Sequence, residues 1–372
     1  MDFNVSEEQE SIRALARQIL GDACSHEHLA ALEKDESGDG IDHALWKSLA
    51  EAHLLGIAIE EEYGGSDLGL SSLFTLFEEA GRALAPVPLV PTLIYGALPI
   101  SEFGSPEQKQ KWLPGVASGD TILTAGLEEV GSNEPREPRT KATANGDGWV
   151  LDGEKACVPA AAQAARILVS AATGPETVGL FLVDPAASGV SLESDLANNY
   201  ERQAHLRLSG VRISAEDVLG DPNDGAQMLE WILNRSQVAL ASLQLGICEE
   251  ALARTADYTR ERKQFGRAIG SFQAVTMRSA DAFIDLECMK STLWQAAWRL
   301  EEGLPATAQA AAAKWWACRG GSRVVDSAQH LHGGTGADIE YPIHRYFLWA
   351  QQIRVTLGGS ADQLVKIGQT LA

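Results

Sequence analysis

One short basic segment of the sequence could bind an anion. Residues 260–266 (Arg-Glu-Arg-Lys-Gln-Phe-Gly) end a predicted helix, and residues 269–273 begin the next one. Arginine holds phosphate groups through two parallel hydrogen bonds, and the N-terminus of the following helix adds partial positive charge. Arg262 is the strongest candidate for such an anion site. The alternative is an ordinary helix end whose charges pair with one another in solvent.

A glycine-rich turn is the second segment that could contact a ligand. Residues 330–336 (His-Leu-His-Gly-Gly-Thr-Gly) carry three glycines within four positions. Because glycine lacks a Cβ atom, such a turn lets a ligand approach the backbone closely. The alternative is a structural helix stop, since glycine commonly ends helices.

The charge and composition of the chain narrow the classes of function. The 372 residues include 51 acidic and 30 basic side chains, so the net charge is −21. We therefore expect neither nucleic acid nor a membrane as a partner, and any anionic ligand must be held by local cations. The five cysteines lack the spacing of a zinc site, so we expect no metal. The acidic start after Met1 is unlike a secretory signal, which predicts a cytoplasmic location.

Hydrophobic periodicity divides the chain into three domains. Residues 1–120 are predicted to be helical, and Ser6 with Gln9 forms the pattern of a capping box at the start of the first helix. Residues 121–222 carry short β-branched or alternating segments typical of strands, among them 178–183 and 206–213. Residues 223–372 return to long helices, predicted at about 224–260, 271–302, 305–332 and 340–357. We expect an α+β multidomain fold that ends in a four-helix bundle.

Together, the basic segment and the glycine turn resemble the acyl-CoA dehydrogenase family. The matching segments are Tyr258-x-x-x-Arg262-x-Gln264-Phe265-Gly266 with Phe272-Gln273, His332-Gly333-Gly334-x-Gly336, and Glu340-Tyr341-Pro342-x-His344-Arg345. Residues 61–65 and 103–114 resemble the N-terminal landmarks of the family, in the same order. The resemblance covers nearly the whole chain. It implies an N-terminal all-α domain, a middle β-barrel-like domain and a C-terminal four-helix bundle.

The resemblance also implies a reaction and a set of partners. Family members use FAD: a carboxylate removes the α proton of an acyl-CoA thioester while the β carbon gives a hydride to flavin N5, yielding a trans-2-enoyl-CoA. The electrons then pass to an electron-transferring flavoprotein. Family members assemble as a dimer of dimers.

The sequence departs from the family at the catalytic base. The family's glutamate lies in a Glu-Gly-Thr type turn, and the corresponding position near Gly358 has no carboxylate. The alternative base position on the first helix of the bundle, within residues 234–241, has none either. Asp362 and Glu230 are the nearest acids but are displaced by about a helical turn or more, so neither is assigned as the base. We therefore expect no catalytic residue in this chain.

The segments that face the flavin in the family are altered as well. Residues 126–133 keep only fragments of the Thr-Glu-Pro and Gly-Ser-Asp elements, and residues 157–160 (Cys-Val-Pro-Ala) replace an aromatic segment that lies against the isoalloxazine ring. What the chain retains is the set that, in relatives, reaches across an interface to a neighbour's FAD. Its members are Arg262, Phe265, Gln273, His330, Gly333 and Gly334, although His330 stands where the family has glutamine.

This division implies a heteromeric enzyme, in which a second subunit supplies the base and the flavin cradle. The pattern resembles the base-lacking subunit of the paired, α2β2 acyl-CoA dehydrogenases of bacterial steroid and cholesterol side-chain degradation. Two alternatives stay open. The chain could be a self-sufficient dehydrogenase with a relocated base such as Asp362, or a flavin-free binding or scaffolding homologue. The acyl group and the partner's identity are not encoded in these motifs.

Overall fold

The computed structural model describes residues 6–35, 38–132 and 134–371. Asn133, part of the altered flavin-facing segment, lies outside these residues. The chain groups into two compact units. One is helical and comprises the described residues of 1–31, 70–85 and 237–372; the other comprises those of 32–69 and 86–236. The predicted domain boundaries near 120 and 222 stay predictions.

Helices dominate both ends of the described chain, as predicted. The α-helices are α1 Glu7–Ala23, α2 His26–Lys34, α3 His43–Glu51, α4 Gly69–Ala83, α5 Leu98–Phe103, α6 Pro106–Ala117, α7 Gly225–Glu261, α8 Gln273–Glu301, α9 Thr307–Leu331, α10 Ile343–Val355 and α11 Ser360–Leu371. The capping box predicted for the first helix is confirmed. The Ser6 hydroxyl accepts from the Gln9 amide at 3.1 Å, and the Gln9 side chain accepts from the Ser6 amide at 3.0 Å.

The helical unit depends on two glycines where α4 crosses α7. A Cβ atom at Gly81 would lie 2.0 Å from the Leu243 carbonyl oxygen, and one at Gly246 would lie 1.8 Å from the Glu78 oxygen. Side chains at these positions would force the backbones apart, because real Cβ atoms do not approach other atoms so closely. In the same unit α9 packs against α8, α10 and α11.

The C-terminal region has one helix more than the sequence predicted. The first three helices begin and end within two residues of the predicted bounds, whereas the fourth, predicted at 340–357, begins three residues later than predicted and ends two residues earlier. Pro342 is the N-cap of α10, and Leu357 and Gly358 both have positive φ, 55° and 91°, which separates α10 from α11. Left-handed backbone cannot continue an α-helix.

The second unit contains the predicted middle β domain. Its strands are β1 Leu123–Gly126, β2 Lys141–Asn145, β3 Gly148–Pro159, β4 Arg166–Ala172, β5 Val178–Val183, β6 Val190–Leu196, β7 Arg202–Ile213 and β8 Val218–Leu219. They form one mixed sheet of order β6-β7-β3-β2-β4-β5-β8, in which β1 also pairs with β4 in parallel. Its core is built from alternating buried side chains such as Leu151, Val169, Phe181 and Leu206. None of the helices among the described residues is long and apolar enough to cross a membrane.

Candidate functional site

A short hairpin presents the basic segment that the sequence analysis singled out. Strand β9 (Lys263–Gln264) pairs antiparallel with β10 (Arg267–Ala268), and only Phe265 and Gly266 connect them. Both connecting residues have positive φ, 52° and 79°, which is the backbone of a type I′ turn. Such turns favour Asn or Gly at the first position, so an aromatic residue there strains the backbone.

The hairpin tip is almost entirely exposed. Phe265 has 93% of its surface accessible, and its ring meets Phe272 edge to face with centroids 6.2 Å apart. The guanidinium of Arg267 lies over the Phe272 ring, 4.1 Å from its centroid. A strained, exposed aromatic side chain beside a cation favours contact with a planar or anionic group outside the chain.

Positive charge and free backbone donors converge at the base of this hairpin. Arg262 is exposed; its amide donates to Tyr258 O at 2.9 Å, and its carbonyl accepts from Ile269 N at 2.8 Å. Helix α8 begins at the exposed Gln273, and its N-cap Phe272 provides no side-chain cap. Uncapped amides at a helix N-terminus favour an anion. The predicted residues Arg262, Phe265 and Gln273 therefore lie along one continuous surface segment.

The glycine turn follows α9 directly. His332 is the C-cap, and Gly333–Ala337 form a short 3₁₀ helix. A Cβ atom at Gly333 or Gly334 would meet no atom within 4 Å, so both backbones face open space. Gly336 differs, because a Cβ atom there would lie 2.2 Å from the Gln329 carbonyl oxygen. Thus Gly336 packs the turn onto its helix, whereas exposed His330, Gly333 and Gly334 are accessible.

A contact between Tyr258 and His332 joins these two segments. Their rings stack with centroids 4.3 Å apart, and the Tyr258 hydroxyl donates to the His332 carbonyl at 3.3 Å. His332 Nδ1 donates to Ala328 O at 2.7 Å, and burial lowers the pKa of His332, so the ring is neutral. Its Nε2 is buried without a hydrogen-bond partner. The sequence analysis gave Tyr258 no role, although its position one helical turn before Arg262 was a usable signal.

The residues of this surface fit a cofactor with a phosphate and a planar ring. Arg262 and the α8 amides can hold an anion, and the backbone at Gly333 and Gly334 leaves room for close approach. FAD contains a pyrophosphate and two planar ring systems. The arrangement can bind and orient such a group.

The turn at the family's base position is firmly held. Gly358 has a φ of 91°, and its carbonyl, like that of Leu357, accepts from Gln363 Nε2 at 3.2 Å. A Cβ atom at Gly358 would lie 3.1 Å from Asp362 Cβ. Just before the turn, buried Lys314 donates from Nζ to Ile353 O, which anchors the last turn of α10. A side chain at position 358 would therefore be strained.

The two acids that lie nearest in sequence to the expected base positions make other contacts. Asp362 Oδ2 accepts from the Gly359 amide at 2.8 Å, as in the reciprocal half of a capping box at the start of α11. In the other unit Glu230 interacts electrostatically with Arg136 and helps to raise the pKa of that guanidinium, although the hydrogen bond to Glu134 is the larger cause. These contacts give each carboxylate a structural role.

The two segments that the sequence analysis expects to be altered flavin-facing elements, within residues 126–132 and 157–160, lie in the β-containing unit and are held by their own contacts. Glu129 accepts from the buried Lys155 Nζ at 2.7 Å and from the Thr140 hydroxyl at 2.7 Å. A Cβ atom at Gly126 would lie 3.0 Å from the Lys155 side chain. Cys157, exposed and at a φ of 53°, lies where the pairing of β3 with β7 shifts register. Within the described ranges, no group of three or more metal-ligating side chains is present.

Comparison with known proteins gives a consistent picture over the whole chain. Family models described as the N-terminal and C-terminal domains of acyl-CoA dehydrogenase match residues 6–120 and 223–372. The chain is 36% identical to acyl-CoA dehydrogenase FadE27 of Mycobacterium tuberculosis, covering 100% of this chain and 99% of that protein.

Two solved structures are similar along their full length. A structure described as a variant of the Tcur3481-Tcur3483 steroid ACAD has 46% identity and a TM-score of 0.92, with 98% of each chain covered. The ChsE4-ChsE5 complex from Mycobacterium tuberculosis has 36% identity and a TM-score of 0.93, covering 100% of this chain and 99% of that one.

Proposed function

The chain belongs to the acyl-CoA dehydrogenase family, and we propose that it is the subunit of a heteromeric member that lacks the catalytic base. FAD is the cofactor of this family, and when bound it accepts the hydride in the dehydrogenation of an acyl-CoA. In this proposal a second, related subunit supplies the carboxylate. The present chain supplies contacts to the FAD held mainly by that partner.

The observation that carries the proposal is the contrast between two surfaces of the helical unit. The hairpin at Phe265 and the turn at Gly333 are exposed, joined by Tyr258 and His332, and suited to a ligand outside the chain. The turn at Gly358, in contrast, carries no carboxylate and is closed by its own hydrogen bonds. A chain with these features can bind and orient a cofactor but not remove a proton.

The two structural neighbours support a heteromer and a steroid substrate class. One names a complex of two different chains, and the other names a steroid ACAD. We extend both to this chain: the substrate is a steroid whose side chain ends in a CoA thioester, and the assembly is α2β2. An electron-transferring flavoprotein would then reoxidise the flavin.

Co-expression with a second family member that carries the glutamate tests the proposal. The expected product is a heterotetramer with two FAD molecules, active only as a pair. In that pair, Arg262→Gln should lower FAD occupancy, whereas Arg260→Gln should not, because Arg260 is 76% exposed and pairs with Asp257 at 3.1 Å. An active, yellow homotetramer of this chain alone would overturn the proposal.

A further inference from the structure

The helical unit contains a cavity whose charged lining residues are mainly positive. Its volume is about 380 Å³, within the range of small-molecule pockets. Side chains from α1, α2, α4, α7 and α10 form its wall. Four arginines line it against two glutamates, so the wall has an excess of two positive charges in a chain whose net charge is −21. These residues are Arg17, Arg82, Arg254, Arg345, Glu79 and Glu250.

The two glutamates leave donors on the arginines unused. Glu79 accepts from Arg17 Nε at 2.9 Å and from Arg17 Nη2 at 2.7 Å, and Glu250 accepts from Arg254 Nε at 2.8 Å. A guanidinium has five N–H donors, so these contacts occupy only part of each fork. The side chains of Arg17 and Arg254 are 53% and 43% exposed, and both can therefore reach a ligand.

The remaining polar groups of the wall add no negative charge. The ring nitrogens of His26 contact Glu340 O, at 2.8 Å from Nε2, and the guanidinium of Arg345, at Nδ1. Burial raises the pKa of Tyr346 to about 12, so its hydroxyl stays protonated. Pro342, the N-cap of the 13-residue helix α10, also lines the cavity, and this helix end adds partial positive charge.

Charges behind the wall do not cancel the excess. Glu249 pairs with Arg82, but Lys290 Nζ lies 3.8 Å from Glu249 Oε1 and offsets it. Glu78 Oε1 lies 3.6 Å from Arg13 Nη2, so Glu78 also has a positive charge beside it. Four guanidinium groups around one cavity repel one another, and a bound anion would relieve that repulsion.

We propose that this cavity binds a small oxyanion of the phosphate type, either free phosphate or the phosphate group of a small ester. Arginine forks suit such oxygens because they donate two parallel hydrogen bonds. The cavity is built from the helical unit alone and lies apart from the hairpin and the glycine turn in sequence. The inference does not depend on the proposed function.

Titration of the full chain with inorganic phosphate, at an ionic strength matched with chloride, tests the inference by calorimetry and thermal unfolding. We expect saturable binding and a Tm that rises with phosphate. Arg17→Gln and Arg254→Gln should each weaken binding by about tenfold or more, as expected for the loss of a charge-assisted hydrogen bond. Glycerol 3-phosphate in a parallel titration distinguishes the two sources, since tighter binding than phosphate indicates an ester.

Arg260→Gln is the matched control, because it removes one exposed positive charge from the last turn of α7, outside the cavity wall. It should leave phosphate binding unchanged. The inference is overturned if phosphate stabilises the chain no more than chloride does. It is equally overturned if Arg262→Gln abolishes binding while the Arg17 and Arg254 variants retain it, since the anion would then bind at the hairpin. Arg254→Lys keeps the positive charge and serves as a second variant if Arg254→Gln does not fold.

Discussion

Tyr258 and His332 stack face to face, with ring centroids 4.3 Å apart and planes inclined by 26°. The same tyrosine donates its hydroxyl to the His332 carbonyl. This contact fixes the end of α7, and therefore the hairpin after it, against the glycine turn after α9. Two exposed segments that are far apart in sequence thus present one surface.

Truncation of Tyr258 should uncouple the two segments. Tyr258→Ala removes the stack and the hydrogen bond, so we expect a loss of about 2–3 kcal/mol in stability and a pair that no longer retains FAD during gel filtration. Tyr258→Phe keeps the ring and should cost only about 0.5–1.5 kcal/mol. Thermal unfolding and the ratio of flavin to protein absorbance measure both effects. Full FAD retention in the alanine variant would contradict the positioning role.

A substitution at Phe265 in the strained hairpin should change stability and cofactor affinity in opposite directions. Phe265→Asn creates the Asn-Gly pair that type I′ turns favour, and the phenyl ring is 93% exposed, so little burial is lost. We expect the chain alone to become more stable by about 0.5–1 kcal/mol. The pair should nevertheless lose FAD affinity by several-fold, as measured by fluorescence titration.

The matched variant Phe265→Tyr keeps the aromatic ring and the backbone strain. It should therefore preserve FAD affinity without gaining stability. If Phe265→Asn binds FAD as tightly as the unchanged chain, then Phe265 makes no contact with the cofactor and its strain has another cause.

Asp362 should prove structural rather than catalytic. Its Oδ2 accepts from the Gly359 amide, and Asp362→Asn retains an oxygen for that bond while removing the charge. We expect the turnover rate of the purified pair to stay within about twofold of that of the unchanged pair. The rate is measured from the bleaching of the flavin absorbance after an acyl-CoA is added. Loss of a general base typically lowers the rate by about 10²- to 10⁴-fold. A decrease of that size would favour a self-sufficient enzyme with a relocated base.

The sequence predicted the elements of this fold better than its contacts. Period-3.6 patterns placed α7, α8 and α9 within two residues, because each is long and its apolar positions recur on one face. The break after α10 was predicted within two residues, but α11 was missed, since it has only 12 residues and short periodic segments give a weaker signal. The absence of a carboxylate at position 358 was visible from the motif. The Tyr258–His332 contact and the arginine-lined cavity were not, because both arise from tertiary packing.

Glu78 should make stability fall as the pH rises towards neutrality. Burial, reinforced by the nearby Glu249, raises the pKa of Glu78 from about 4.5 to about 7, although Arg13 and Arg82 oppose the shift. Between pH 4.5 and pH 7 the folded state binds more protons at Glu78 than the unfolded state does. The free energy of unfolding therefore decreases as the pH rises from about 4.5 to 7, and above pH 7 this contribution no longer changes. The loss is on the order of 3 kcal/mol. Glu78→Gln removes this slope, so the Tm of the variant should rise relative to that of the unchanged chain between pH 5 and pH 8.

Glu10→Gln is the control, because Glu10 also pairs with Arg13, at 3.1 Å, but is 59% exposed. If Glu78→Gln shows no relative rise, Glu78 is ionised in the folded protein throughout this range. The same rise in Glu10→Gln would show that the effect is not specific to Glu78.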